Sequence, residues 1–105
     1  MTTYLLNSAV LTAYGEYVYS HLTVDAARVE LQSDYTSAVG HQGSAEFCSQ
    51  LLGIQVPLNR IAIEMQVGDR AVVVRVKGRI PEGGSLTTKE VLAMPYEVGL
   101  LVRRQ

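Results

Sequence analysis

Apolar positions recur along the chain with two periods, near 2 and near 3.6, and the switches between them divide it into elements. Tyr4 to Leu6 is a short apolar run that stops at the polar pair Asn7-Ser8, which predicts a first, buried strand. Glu16 to Leu22 is rich in Tyr and Val and alternates moderately, which predicts a second strand or an extended edge segment. Thr23 then stands as an N-cap with Asp25 in the first turn, while Val24, Ala27 and Leu31 recur at helical spacing. That helix should end before Ser33-Asp34.

Ser37 to Gly43 reads as a loop, with Gly40 and Gly43 around His41. A second helix is expected from Gly43 or Ser44, carrying the stripe Ala45, Phe47, Cys48, Leu51 and Leu52, with Gly53 as its C-terminal stop. Pro57 breaks any continuation. From Arg60 to Val67 the chain alternates, with Ile61, Ile63 and Met65 on one face and Arg60, Glu64 and Gln66 on or near the other. With the turn signal Gly68-Asp69 and the β-branched run Ala71 to Val76, this predicts a hairpin. Pro81 to Gly84 reads as a loop, and Thr87 with Glu90 has capping-box spacing for a short helix over Thr88 to Ala93. Tyr96 to Val102 is the last expected strand. The pattern predicts an α/β fold of α+β character over 1–105: one small domain, about five strands in a mixed sheet, helices packed on it.

Composition narrows the function classes. With 105 residues and 48% apolar, the chain has room for one core. No apolar run approaches the roughly 20 residues of a membrane span, and MTTYLLNSAV offers no basic leader. The lone Cys48 cannot form an internal disulfide, so a cytoplasmic protein is expected. Nine Lys and Arg against ten Asp and Glu give a net charge of −1. That balance argues against duplex nucleic acid as a partner, though a few placed arginines and a helix N-terminus suffice for a small anion. Two His and one Cys, far apart in sequence, make a zinc site improbable; no metal or cofactor is expected.

Candidate chemistry rests on few residues. His41, in its Gly-flanked loop before a helix, is placed to bind a phosphate or protonate a leaving oxygen, or is simply a turn His. Arg79 and Glu82 flank Ile80-Pro81 and suit a phosphate-neutralising cation beside a proton acceptor, or an exposed ion pair. Asn7-Ser8, at a strand end, is a ligand position or a turn. Asn59-Arg60 after Pro57 supplies a further phosphate contact or a solvated strand start. His21, alternating with tyrosines, reads as structural, and Cys48 as core.

Taken together, Tyr4 to Ala9, Thr36 to Gln42, Val56 to Arg60 and Arg79 to Gly83 resemble the viral ring nucleases. These are type III anti-CRISPR proteins, with bacterial relatives, that destroy cyclic tetra-adenylate. The likeness runs over nearly the whole chain in order. It implies a small α/β homodimer that binds one cyclic tetra-adenylate at its interface and cuts it, without metal, into linear di-adenylates. His41 falls on the family's catalytic His, and Arg79 and Glu82 on its Arg and Glu. Asn7 and the pair Asn59-Arg60 fall on its ligand contacts, with Ser8, Gly40, Gln42 and Ser44 beside them. Where some members carry an active-site Ser, this chain has Val10 or Leu11, with Ser8 and Thr12 nearby.

Overall fold

The computed structural model describes residues 1–11, 13–77 and 88–105. Its elements are β1 (Thr3–Leu6), β2 (Tyr17–His21), α1 (Val24–Glu30), β3 (Thr36–Ser37), α2 (Gln42–Leu52), β4 (Arg70–Val76), α3 (Thr88–Ala93) and β5 (Tyr96–Arg103). The strands form one mixed sheet in the order β2-β5-β4-β1-β3. β1 runs parallel to both β3 and β4, whereas β5 is antiparallel to both β2 and β4. The mixed five-stranded sheet with packed helices is as the pattern predicts, but one of its strands is not.

The expected hairpin does not form. Residues 60–67 form no strand, and β4 pairs with β1 on one side and β5 on the other. Both edges of β4 are therefore occupied before the 60–67 segment could reach it. The alternation in that segment serves a different surface. Met65 is fully buried and Ile63 half-buried against Leu6, Ala71, Val73 and Leu101, on the sheet face away from the main core. Burying a side chain such as Met65 stabilises the fold by about 1.5–3 kcal/mol. Gly68 turns the chain with φ of 91°. Asp69, itself buried, fixes the turn: its carboxylate accepts the backbone N–H of Thr2 and of Gln66, each at 2.8 Å.

The missing strand is the two-residue β3, which pairs with β1 in the register Tyr4 to Thr36 and Leu5 to Ser37. On the other face of the sheet, Leu5, Val72, Val74 and Val98 meet Ala27, Phe47, Leu51, Leu52 and Val91 from the helices. Phe47 sits edge-on to Tyr96 with centroids 5.8 Å apart. Because both faces of β4 are covered, Ala71 to Val74 are all buried and the strand reads as a continuous apolar run.

Local signals set the helix ends. Thr23 caps α1, its hydroxyl accepting the Ala26 N–H at 3.1 Å. Gly53 closes α2 in the left-handed region at φ 67°, its N–H donating to Ser49 O. The start of α2 differs from expectation: the helix begins at Gln42, so His41 is its N-cap. His21 is exposed on β2 rather than packed in a structural role. Among the described residues, no helix is long and apolar enough to cross a membrane.

Candidate functional site

The parallel pairing of β1 and β3 delivers Asn7 and the segment Ala38–Gly40 to the same end of the sheet, where α2 begins. Four side chains meet there. His41 accepts the Ser44 backbone N–H through Nδ1 at 3.3 Å. Asn7 Nδ2 donates to Ser44 Oγ at 3.4 Å, across 37 residues of sequence. Arg60 crosses Gly40, its Nε donating to the Gly40 carbonyl at 3.2 Å. A Cβ on Gly40 would come within 3.2 Å of Arg60 Cβ and Cγ, so a larger residue there would press the arginine away.

The segment that carries Arg60 is pinned from behind. Asn59 Nδ2 donates to Ser37 O at 2.8 Å and its backbone N–H to Val39 O at 2.9 Å. The buried Ser37 hydroxyl donates in turn to Pro57 O at 2.8 Å. Asn59 is thus committed to holding β3 and the 57–60 segment together. Arg60 is exposed beside it.

The chemistry follows from these contacts. The first intrahelical bond of α2 runs from Ala45 N–H to His41 O, so the N–H groups of Gln42 and the buried Gly43 lie at the positive end of the helix dipole. With Nδ1 engaged as an acceptor, the proton of a neutral His41 ring sits on Nε2. A helix terminus, an imidazole N–H, an arginine and an Asn amide on one spot make an arrangement suited to a phosphate or another small anion.

Next to it is a cavity of about 310 Å³ lined by Leu6, Asn7, Ser8, Val10, Ala38 and residues Ile61 to Ile63. Two of its apolar lining residues, Val10 and Ile61, are each about half exposed. Gln42 points elsewhere. Its amide donates to Glu46 Oε1 at 3.3 Å, and it lines a separate cleft of about 830 Å³ along α2 and the 53–58 turn. Arg79 and Glu82 lie outside the described residues, as does Thr12. Of the expected contacts, Asn7, Gly40, His41, Ser44 and Arg60 are brought together, Ser8 borders the cavity, and Asn59 acts from behind. The apolar wall of Ala38, Ile61 and Ile63 has no signal of its own in the sequence, where Ile61 and Ile63 read as strand residues.

Fold and site together define a small α/β protein in which the start of α2 lies beside a cavity lined mostly by apolar residues. Residues 3–98 match the STIV B116-like family, and the chain belongs to it. It is 33% identical over 109 residues to Uncharacterized protein ORF117 of Acidianus two-tailed virus, covering 97% of this chain and 93% of that one. It is 32% identical over 101 residues to Uncharacterized protein YddF of Bacillus subtilis, covering 93% and 94%. Among solved structures, B116 of Sulfolobus turreted icosahedral virus superimposes with a TM-score of 0.86 over 98% of this chain and 100% of that one, at 21% identity. Its relatives thus include proteins of an archaeal virus and of a bacterium, and the B116 likeness carries the fold.

Proposed function

We propose that the protein is a ring nuclease: a homodimer that binds cyclic tetra-adenylate and cuts it, without metal, into linear di-adenylates. The observation that carries this reading is the meeting of His41, Asn7 and Arg60 at the start of α2. The resemblance to the viral ring nucleases assigns the substrate. In that setting the cut removes the second messenger of type III CRISPR defence.

The substrate brings its own nucleophile. A ribose 2′-OH attacks the adjacent phosphorus, the P–O5′ bond breaks, and the products end in a 2′,3′-cyclic phosphate and a 5′-OH. The protein must then hold the in-line geometry, neutralise the phosphate and protonate the leaving oxygen. Arg60 and the N–H groups at the start of α2 neutralise charge. His41 gives its Nε2 proton to the 5′ oxygen, a role typically contributing about 10²–10⁴-fold. Arg79 and Glu82 enter on the resemblance alone: Arg79 on the phosphate, Glu82 orienting a partner or taking the 2′-OH proton.

Two-fold symmetry fits a four-fold ring, because each subunit then meets an equivalent phosphodiester. Val10 and Ile61, half exposed at the cavity, are the apolar surface that a partner copy would cover. The test is to incubate the protein with cyclic tetra-adenylate in EDTA and resolve the products by chromatography. Linear di-adenylates with 2′,3′-cyclic phosphate or 3′-phosphate ends are expected. Intact ring recovered from a tight complex would make the protein a sequestering sponge instead. Absence of binding, or 5′-phosphate ends, would overturn the reading.

A further inference from the structure

We infer that Tyr19, lying over Gly99, is a stacking platform for an adenine base of the bound ring. Gly99 sits in the middle of β5, where a strand-forming residue with a side chain would be usual. A Cβ there would stand 2.7 Å from Tyr19 Cζ and 2.9 Å from its hydroxyl. The tyrosine ring therefore occupies the space that glycine leaves and rests directly on the strand. Yet Tyr19 is 45% exposed. An aromatic ring supported from below by a sheet and open above is how sheet proteins present a π-face to an unpaired base.

The register places this platform in line with the site. Leu6 pairs with Val73, and Val73 with Gly99, so Leu6, Val73 and Gly99 form one row across the sheet. Leu6 lines the cavity beside Asn7. Two strand spacings separate Leu6 from Gly99, roughly 10 Å, and Val73 between them is buried with Met65 and Ile63, so a base of a ring held at the cavity would reach Tyr19 over the 60–67 segment. The neighbouring row on the same face carries charge. Arg75 and Lys77 both reach Glu97, at 3.1 and 3.7 Å, so two cations meet one carboxylate there. A base stacked here would lie on the outer face of the Tyr19 ring while its phosphate stays at the start of α2.

The identity of the base rests on the ring-nuclease reading; the platform itself does not. The test is therefore made with two probes, cyclic tetra-adenylate and 5′-AMP, on protein carrying labelled tyrosine and glycine and followed by NMR. Both probes should shift the ring signals of Tyr19 and the amide of Gly99. Tyr19→Leu, which keeps an apolar cover on the glycine, should weaken ring binding about ten-fold with turnover at saturation little changed, and Tyr19→Phe should restore it. If the ring binds and neither Tyr19 nor Gly99 shifts, the platform is overturned while the nuclease reading stands. If the ring does not bind and 5′-AMP still shifts both, the platform stands and the nuclease reading falls. Silence with both probes overturns both. Tyr19 signals that follow protein concentration rather than nucleotide would mark a contact between copies, and overturn the platform.

Discussion

His41 Nδ1 accepts the backbone N–H of Ser44, so the residue proposed to protonate the leaving group also caps the helix that forms the site. The two roles can be separated by substitution. Asn is among the preferred N-caps and Ala among the worst, with a cap worth about 1 kcal/mol. His41→Ala should lower Tm by roughly 4–8 °C, while His41→Asn should stay near wild type. Both should lower single-turnover cleavage by about 10²-fold or more, since neither retains an imidazole. Ring affinity should change far less in His41→Asn. Melting curves and rapid-quench assays on the pair give the answer. Wild-type turnover in His41→Asn would remove the imidazole from the chemistry.

Arg60 meets phosphate charge in the ground state, so its loss should appear first in binding. A charge-assisted hydrogen bond is worth about 1.5–3 kcal/mol, which makes Arg60→Ala roughly 10- to 150-fold weaker for the ring. Arg60→Lys should recover part of this, because charge returns but the planar donor set does not. Titrations at two salt concentrations would measure it, and the defect should shrink as salt rises. Equal affinity in wild type and Arg60→Ala would show that the arginine serves only to hold Gly40.

The dimer can be tested at Ile61, which is 45% exposed and borders the cavity. Ile61→Asp places a charge in the proposed interface and costs little in a monomer, where surface substitutions stay within about 0.5 kcal/mol. Light scattering should show a dimer for wild type and a monomer for the variant, with turnover lost in parallel. A wild-type monomer at micromolar concentration that still cleaves the ring would refute the interface.

How far the sequence was legible depends on whether a signal is local. Thr23, Gly53 and the stripe of α2 act within a turn or two of themselves, and each sits where its chemistry predicts. The alternation of Ile61, Ile63 and Met65 marks a face that is buried at Met65, half-buried at Ile63 and exposed at Ile61, and periodicity does not say what the backbone pairs with. That was decided far away, by β1 and β5 taking both edges of β4. β3 has two residues, Thr36 and Ser37, too short to carry a period at all. It exists because Leu5 and Tyr4 offer a parallel edge. In the site, His41 was visible from its glycine neighbours. Its capping contact was not, since imidazole is not among the usual N-caps and the helix was expected to start later. Nor does anything in the sequence near Asn7 announce Ser44, 37 residues on.

Cys48 supplies a prediction independent of function. Its thiol is 1% exposed on the apolar stripe of α2, and burial pushes its pKa from 9.0 up to about 12. The unfolded chain therefore releases this proton before the folded one does. The resulting stability is fully present below about pH 9 and is lost as pH rises toward 12, by at most about 1.4 kcal/mol per pH unit. Tyr35 is raised as well, by burial first and by Cys48 second, and its loss runs in the same direction. Comparing wild type with Cys48→Ala therefore isolates most of the thiol's share. Near pH 8 the wild type should be the more stable, because Ala leaves a small void on the stripe. By about pH 10.5 that advantage should have shrunk by 1 kcal/mol or more, read from urea midpoints at fixed m-value. A thiol-reactive disulfide reagent at pH 8 should likewise find Cys48 inert in the native protein and reactive in urea. Parallel pH profiles for the two chains, or rapid native labelling, would mean that Cys48 is not held in the core.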